Sequence, residues 1–117
     1  MKRNDYPVSS EYIDILKKHF EVICFSNDYD FVYENQVPNT GVILIEGEIE
    51  QIKRSKVLKK ISPFTLLGIY QLFHNQKVCF DFKIKKGSKV IVIGKSDLVE
   101  VISNSKSKLF SLFKAQT

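Results

Sequence analysis

Histidine and cysteine are both scarce in this chain of 117 residues, at two apiece. His19 and His74 stand far apart, so a metal site built from several histidines and a glutamate on facing strands has no ligands to draw on, and no metal is expected. Cys24 and Cys79 do not form a closely spaced ligand pair and read as small buried or edge thiols. No secretory leader is expected either, because Asn4-Asp5-Tyr6-Pro7 stands where an apolar run is required after Met1-Lys2-Arg3. Few cysteines and no leader point to a reducing cytoplasm. No apolar run approaches the ~20 residues of a spanning helix, so no membrane partner is expected. Neither a Ser/His/Asp order, nor a phosphate loop, nor a pair of catalytic carboxylates stands out, so the expectation is no enzyme and no cofactor. Internal repeats, low-complexity segments and linkers are absent, which leaves one domain over residues 1–117.

What is present is an ordinary globular composition, 44% hydrophobic and 26% charged, with a net charge of +5 and a pI near 9.2. The lysines cluster at Lys53-Arg54-Ser55-Lys56 with Lys59-Lys60, and at Lys83, Lys85, Lys86 and Lys89. The tyrosines do not interleave with them on one strand, so a base-stacking platform is not supported and the charge reads as solvation.

Ser9-Ser10-Glu11 offers a cap and a first-turn acid for a helix over residues 11–19, with Tyr12, Ile15, Leu16 and His19 or Phe20 on its apolar face. From Phe20 the period changes to that of strands. Val22–Phe25 and Tyr29–Tyr33 are short β-rich runs, and Asn35–Asn39 is a turn cluster. Ile43, Ile45, Gly47, Ile49 and Gln51 alternate with Leu44, Glu46, Glu48 and Glu50, as in one half-buried strand whose glutamates form the wet face. Lys53–Lys56 reads as a hairpin tip, Val57–Ile61 as its return, and Thr65–Phe73 as a short helix. Val78–Lys85 and Lys89–Ile93 are strands around the turn Lys86-Gly87-Ser88. Parity puts Val78, Phe80, Phe82 and Ile84 inward and Lys77, Cys79, Asp81 and Lys83 outward. The barrel interior is therefore expected to hold Ile43, Ile45, Phe80, Phe82, Ile84 and either Ile91 or Val92. Ser96-Asp97 caps a last helix, with Asp97 and Glu100 at capping-box spacing, and Leu98, Val101, Ile102, Leu109, Leu112 and Phe113 as its stripe, breakable at Asn104-Ser105. The layout is an N-terminal helix at 11–19, a β-roll at 20–95 and C-terminal helices at 97–114: a mainly β roll or jelly roll with flanking helices.

Asn35 ahead of Gly47, then Leu67-Gly68-Ile69-Tyr70-Gln71-Leu72-Phe73, then Val90–Leu98, occur in an order that resembles the cyclic-nucleotide-binding domain over Glu11 to Phe113. An unrelated β-roll such as a cupin shares part of this pattern, but an enzyme of that type is disfavoured by the histidine count. The resemblance implies a β-roll of the cyclic-AMP receptor type, in which a short helix offers backbone donors to a cyclic phosphate, a glutamate accepts from the ribose and an arginine clamps the phosphate. Here Asn35 takes the place of a turn glycine, a cheap exchange because asparagine tolerates the left-handed region, and Gly47 marks a bulge or close approach. Ile69 stands where the glutamate belongs and Val78 where the arginine belongs, and Phe80 replaces a small residue.

The resemblance thus marks Gly68, Ile69, Val78 and Phe80 as positions of a degenerate ligand site, with Lys77 as a substitute phosphate contact if a bulge turns it inward. Binding of cyclic AMP or cyclic GMP is not expected. The reading is a non-enzymatic regulatory or protein-interaction module that acts through a protein partner or as a homo-oligomer. Its alternative is a sensor with a divergent pocket for another small anion or nucleotide. Residues 107–117 leave no room for the dimer helix and helix-turn-helix that the family's transcription factors carry, so no DNA-binding domain is expected. Leu109, Leu112 and Phe113 either fold back on the roll or form a partner-docking face.

Overall fold

The structure is a computed structural model that describes residues 5–117, with side chains from Tyr6 onward. Among the described residues nine strands form two antiparallel sheets. In chain order they are β1 (Asp5–Pro7), β2 (Val22–Cys24), β3 (Tyr29–Val32), β4 (Thr40–Glu46), β5 (Ile49–Lys53), β6 (Lys56–Ile61), β7 (Thr65–Leu67), β8 (Asp81–Ile84) and β9 (Lys89–Gly94). The helices are α1 (Ser10–His19), α2 (Ile69–His74), α3 (Lys95–Ile102) and α4 (Phe110–Lys114). The first sheet runs β1-β7-β4-β9-β2 and the second β3-β8-β5-β6. Stacked face to face they make the mainly β roll with flanking helices that the sequence pattern implies.

Two apolar clusters hold the layers together. Val42, Leu44, Leu67 and Val90 from the first sheet meet Val32, Ile49, Ile61, Phe82 and Ile84 from the second, and this is the interior of the roll. The opposite face of the first sheet presents Ile43, Leu66, Ile91 and Ile93 to Ile13 and Leu16 of α1, Leu98 of α3, and Leu109, Leu112 and Phe113. Each such side chain fully removed from water contributes about 1.5–3 kcal/mol, so the helical layer is as much a part of the core as the roll.

The double burial corrects the expected interior. Val42 to Leu44 are all buried because β4 is covered on both faces, so its pattern is a continuous apolar run rather than an alternation. Ile43, Ile45 and Ile91 face the helices, whereas Val42, Leu44 and Val92 face the roll. The chain leaves the first sheet after Glu46 and enters the second at Ile49, with Gly47 at φ +99° between them, so one expected strand is two. Phe82 and Ile84 lie inside as expected, and Phe80 packs half-buried beside them.

Several local expectations shift by a residue or a face. The buried side of α1 centres on Ile13 and Leu16, with Tyr12 and Ile15 flanking. Thr65–Leu67 is a strand and only Ile69–His74 is helical. Residues 78–80 lie outside β8, which begins at Asp81. The last helix begins at Lys95 behind Gly94 and shows no side-chain cap, so Ser96 and Asp97 are first-turn residues and not the cap. The break after Ile102 separates α3 from α4, as Asn104-Ser105 suggested. The hairpin tip between β5 and β6 is turned by Arg54 and Ser55, at φ +51° and +64°. No helix among the described residues is long and apolar enough to cross a membrane.

Candidate functional site

Strand β7 ends at Leu67, and Gly68, with φ of +83°, turns the chain sharply into α2. A side chain there would make ordinary contact with the Phe31 ring and the Thr40 carbonyl, at 3.6 and 3.7 Å, so the positive φ and not a lack of space favours glycine. The next residue, Ile69, is 2% exposed and joins the helix-side cluster. Its Cδ1 lies over Gly41, which has room for it only because Gly41 lacks a Cβ. Ile69 is thus a core side chain seated on the first sheet. It offers no acceptor to a ligand.

Val78 lies on the other side of the first sheet, 2% exposed in the interior of the roll. Its backbone is stitched to the turn before β4: the Asn35 N–H donates to the Val78 carbonyl and the Val78 N–H donates to the Gln36 carbonyl, both at 2.9 Å. The Glu34 N–H donates to Asp81 Oδ1 at 2.7 Å. Asn35 sits at φ +69°, the left-handed turn conformation expected of it. Phe80 follows edge-on to Phe82, with ring centres 6.4 Å apart at 76°.

The cation nearest this aromatic pair is one that sequence reasoning missed. Lys53, the last residue of β5, holds its ammonium 5.5 Å from the centre of the Phe80 ring. The same ammonium donates to Glu34 Oε2 at 3.0 Å and to the Cys79 carbonyl at 3.1 Å. Lys77 is exposed in the link between α2 and β8. No sequence signal joins Lys53 to Phe80, since hairpin-tip lysines are ordinarily solvated and the contact depends on how the sheets stack.

Other charges form surface pairs. Glu46 faces Lys89 at 3.2 Å and Glu48 faces Lys60 at 3.9 Å, while Lys85 reaches Asp28 at 2.8 Å and Glu50 at 3.6 Å. Asp28 accepts from the Lys85 ammonium and from the Lys86 N–H, which hold its carboxyl below the usual range. Lys85 is correspondingly raised, first by its hydrogen bond to Asp28. The Tyr33 hydroxyl donates to Asp30 Oδ2 at 2.7 Å, and that bond to a carboxylate raises the phenol. No group of three or more His, Cys, Asp or Glu side chains able to hold a metal occurs among the described residues. His74 ends α2 with its Nε2 2.7 Å from the Thr117 carbonyl, and Cys24 and Cys79 are free and exposed.

Leu109, Leu112 and Phe113 are 3%, 4% and 0% exposed, packed in the cluster with α1, α3 and the first sheet. Of the two roles the sequence left open, folding back on the roll is the one their burial fits.

A second feature absent from the sequence reading is an apolar cavity of about 360 Å³ at the edge where β2 and β3 lie across from each other. Phe31, which lies 3.6 Å from where a Gly68 side chain would stand, and Thr40 are among its walls.

No family model matches the sequence, and no curated protein matches it. Solved structures do. One, from work on a cyclic-GMP-dependent signalling pathway that regulates bacterial phytopathogenesis, superposes with a TM-score of 0.76 at 12% identity, over 95% of this chain and 92% of that one. A cyclic-nucleotide-binding-like protein from Brucella abortus gives 0.65 at 16% identity, over 82% and 86%. The catabolite activator protein of Thermus thermophilus gives 0.68 at 12% identity, over 92% of this chain but 51% of its own. The chain has the β-roll fold of cyclic-nucleotide-binding domains.

Proposed function

We propose that this chain is a non-enzymatic regulatory or protein-interaction module on a cyclic-nucleotide-binding fold, and that it does not bind cyclic AMP or cyclic GMP. The observation that supports this most is the pair Ile69 and Val78, each 2% exposed and each committed to a different apolar cluster. A ribose hydroxyl set against Ile69 loses its water without a replacement acceptor, at about 1–3 kcal/mol. A phosphate set against Val78 meets no charge-assisted donor, and such bonds are roughly twice as strong as neutral ones. Among the described residues the arginine is Arg54, exposed at the tip of the β5–β6 hairpin. Lys53 supports no anion site either, because its ammonium is already held by Glu34 and the Cys79 carbonyl.

A module of this kind acts through another protein or a second copy of itself. The test is calorimetry of the whole chain with both nucleotides up to about 100 μM, a wide margin over a micromolar site. Silence in both titrations is the expected result. Saturable heat in that range overturns the reading and returns the sensor alternative.

A further inference from the structure

We propose that the cavity between β2 and β3 is a binding site for a small, uncharged aromatic molecule. This goes beyond the reading above and is independent of it, since it uses neither Ile69 nor Val78.

The cavity exists because the roll is not closed along one edge. β2 and β3 are the edge strands of opposite sheets and are only three and four residues long. Val42 and Val92, register partners on β4 and β9, form one wall, and Ile84, partner of Tyr29, stands on the other. The residues of the inner cluster that stay only half-buried include Ile23, Phe25, Phe31 and Val92, and all four line this opening. Apolar side chains inside a roll normally pack to crystal-like density, so a gap confined to one edge and framed by aromatic rings is a vacancy of definite shape.

Its chemistry selects the ligand. None of the lining residues carries a charge; the polar side chains are Asn39, Thr40 and the hydroxyl of Tyr29. An anion entering would lose its hydration with no countercharge to meet it. A neutral ring loses little and gains contact with Phe25 and Tyr29, whose own rings lie 5.2 Å apart at 37°, with Phe31 alongside. The volume of about 360 Å³ falls in the range of small-molecule sites, which combine apolar walls with a few polar groups that fix orientation. Thr40 and Asn39 supply those groups.

The site is also held open. The Phe25 N–H donates to the Ser88 carbonyl at 2.9 Å and the Gly87 N–H donates to the Phe25 carbonyl at 2.8 Å. Asp28 ties the same connection to Lys85 and Lys86. The segment that carries Phe25 toward Tyr29 is therefore pinned to the turn before β9, so a ligand meets walls already in place and is spared their ordering cost.

The test is an amide and methyl chemical-shift titration of the whole chain with indole, and separately with cyclic AMP. Indole is expected to give saturable shifts at Phe25, Phe31, Thr40 and Val92 below about 1 mM, a weak but specific affinity for so small a probe. Val92→Phe, which fills the space from the β9 wall, is expected to weaken indole by about tenfold or more. If Val92→Phe does not fold, Tyr29→Ala serves instead: Tyr29 is 51% exposed, so its removal spares the core, and a severalfold loss of affinity is expected. The proposal is overturned by the absence of saturable shifts, by shifts that map elsewhere, or by affinity unchanged in the folded variants. Cyclic AMP shifting the same amides as tightly as indole overturns it as well, because a charged ligand would then be accepted.

Discussion

Gly47 and Ser88 share one space. A Cβ added to Gly47 would lie 2.7 Å from Ser88 Cα and would overlap the Ser88 hydroxyl. That hydroxyl is meanwhile occupied with the next residue, accepting from the Glu48 N–H at 3.0 Å and donating to the Glu48 carbonyl at 3.1 Å. The contact stands where the chain crosses between the sheets, so the crossing is set by a missing side chain as much as by hydrogen bonds.

Gly47→Ala should therefore be costly twice over, through the positive φ and through the collision, at about 2–4 kcal/mol in all. Gly87→Ala isolates the first cost, since Gly87 has φ +85° but nothing within 4 Å of an added Cβ. Urea midpoints of the two variants should separate clearly, with Gly47→Ala the lower. Equal midpoints would mean that Ser88 yields.

Phe82 is 1% exposed at the centre of the roll, and Phe82→Ala should cost about 3–5 kcal/mol. Phe80, half-buried beneath the Lys53 ammonium, should cost distinctly less when truncated. Chemical denaturation of both variants checks the order, and a larger loss at Phe80 would place the centre of the roll at the wrong ring.

Asp28 predicts an acid limb. Its carboxyl is held below its ordinary value by the Lys85 hydrogen bond and then the Lys86 N–H. A group depressed on folding stabilises fully above its unfolded-state pKa and loses that contribution as pH falls through the folded one. Asp28→Asn should therefore be less stable than the parent at neutral pH and converge with it as pH falls below the depressed range of the Asp28 carboxyl. A gap in urea midpoint that persists unchanged at acid pH would assign the effect to packing.

Phe113 is fully buried beneath α1 and α3, so Phe113→Ala should cost about 3–5 kcal/mol. Light scattering should show no change of mass between the parent and the folded variant at the same concentration. A lower mass with stability intact would restore the docking role to the stripe of Leu109, Leu112 and Phe113.

The sequence by itself determined the coarse order, a helix, then short strands, then closing helices, and several of the places where the backbone must turn. Local chemistry suffices for that: Asn35 reaches the left-handed region with little penalty, Pro63 interrupts between strands, and the inward parity of Phe82 and Ile84 follows from a period of two. It also fixed that Ile69 and Val78 offer no side-chain hydrogen bond, because that capacity belongs to the residue type. Only the tertiary structure decided which face of β4 meets the roll and which meets the helices, since a strand buried on both sides shows no alternation to read. The helical layer that takes Ile69, Leu112 and Phe113 into the core is decided there too, because a half-apolar helix reads the same whether its stripe is covered by its own chain or left for another. The same holds for Lys53 over Phe80 and for the cavity framed by Phe25, Phe31, Val42 and Val92, whose parts come from strands far apart in the chain and meet only through the stacking of two sheets.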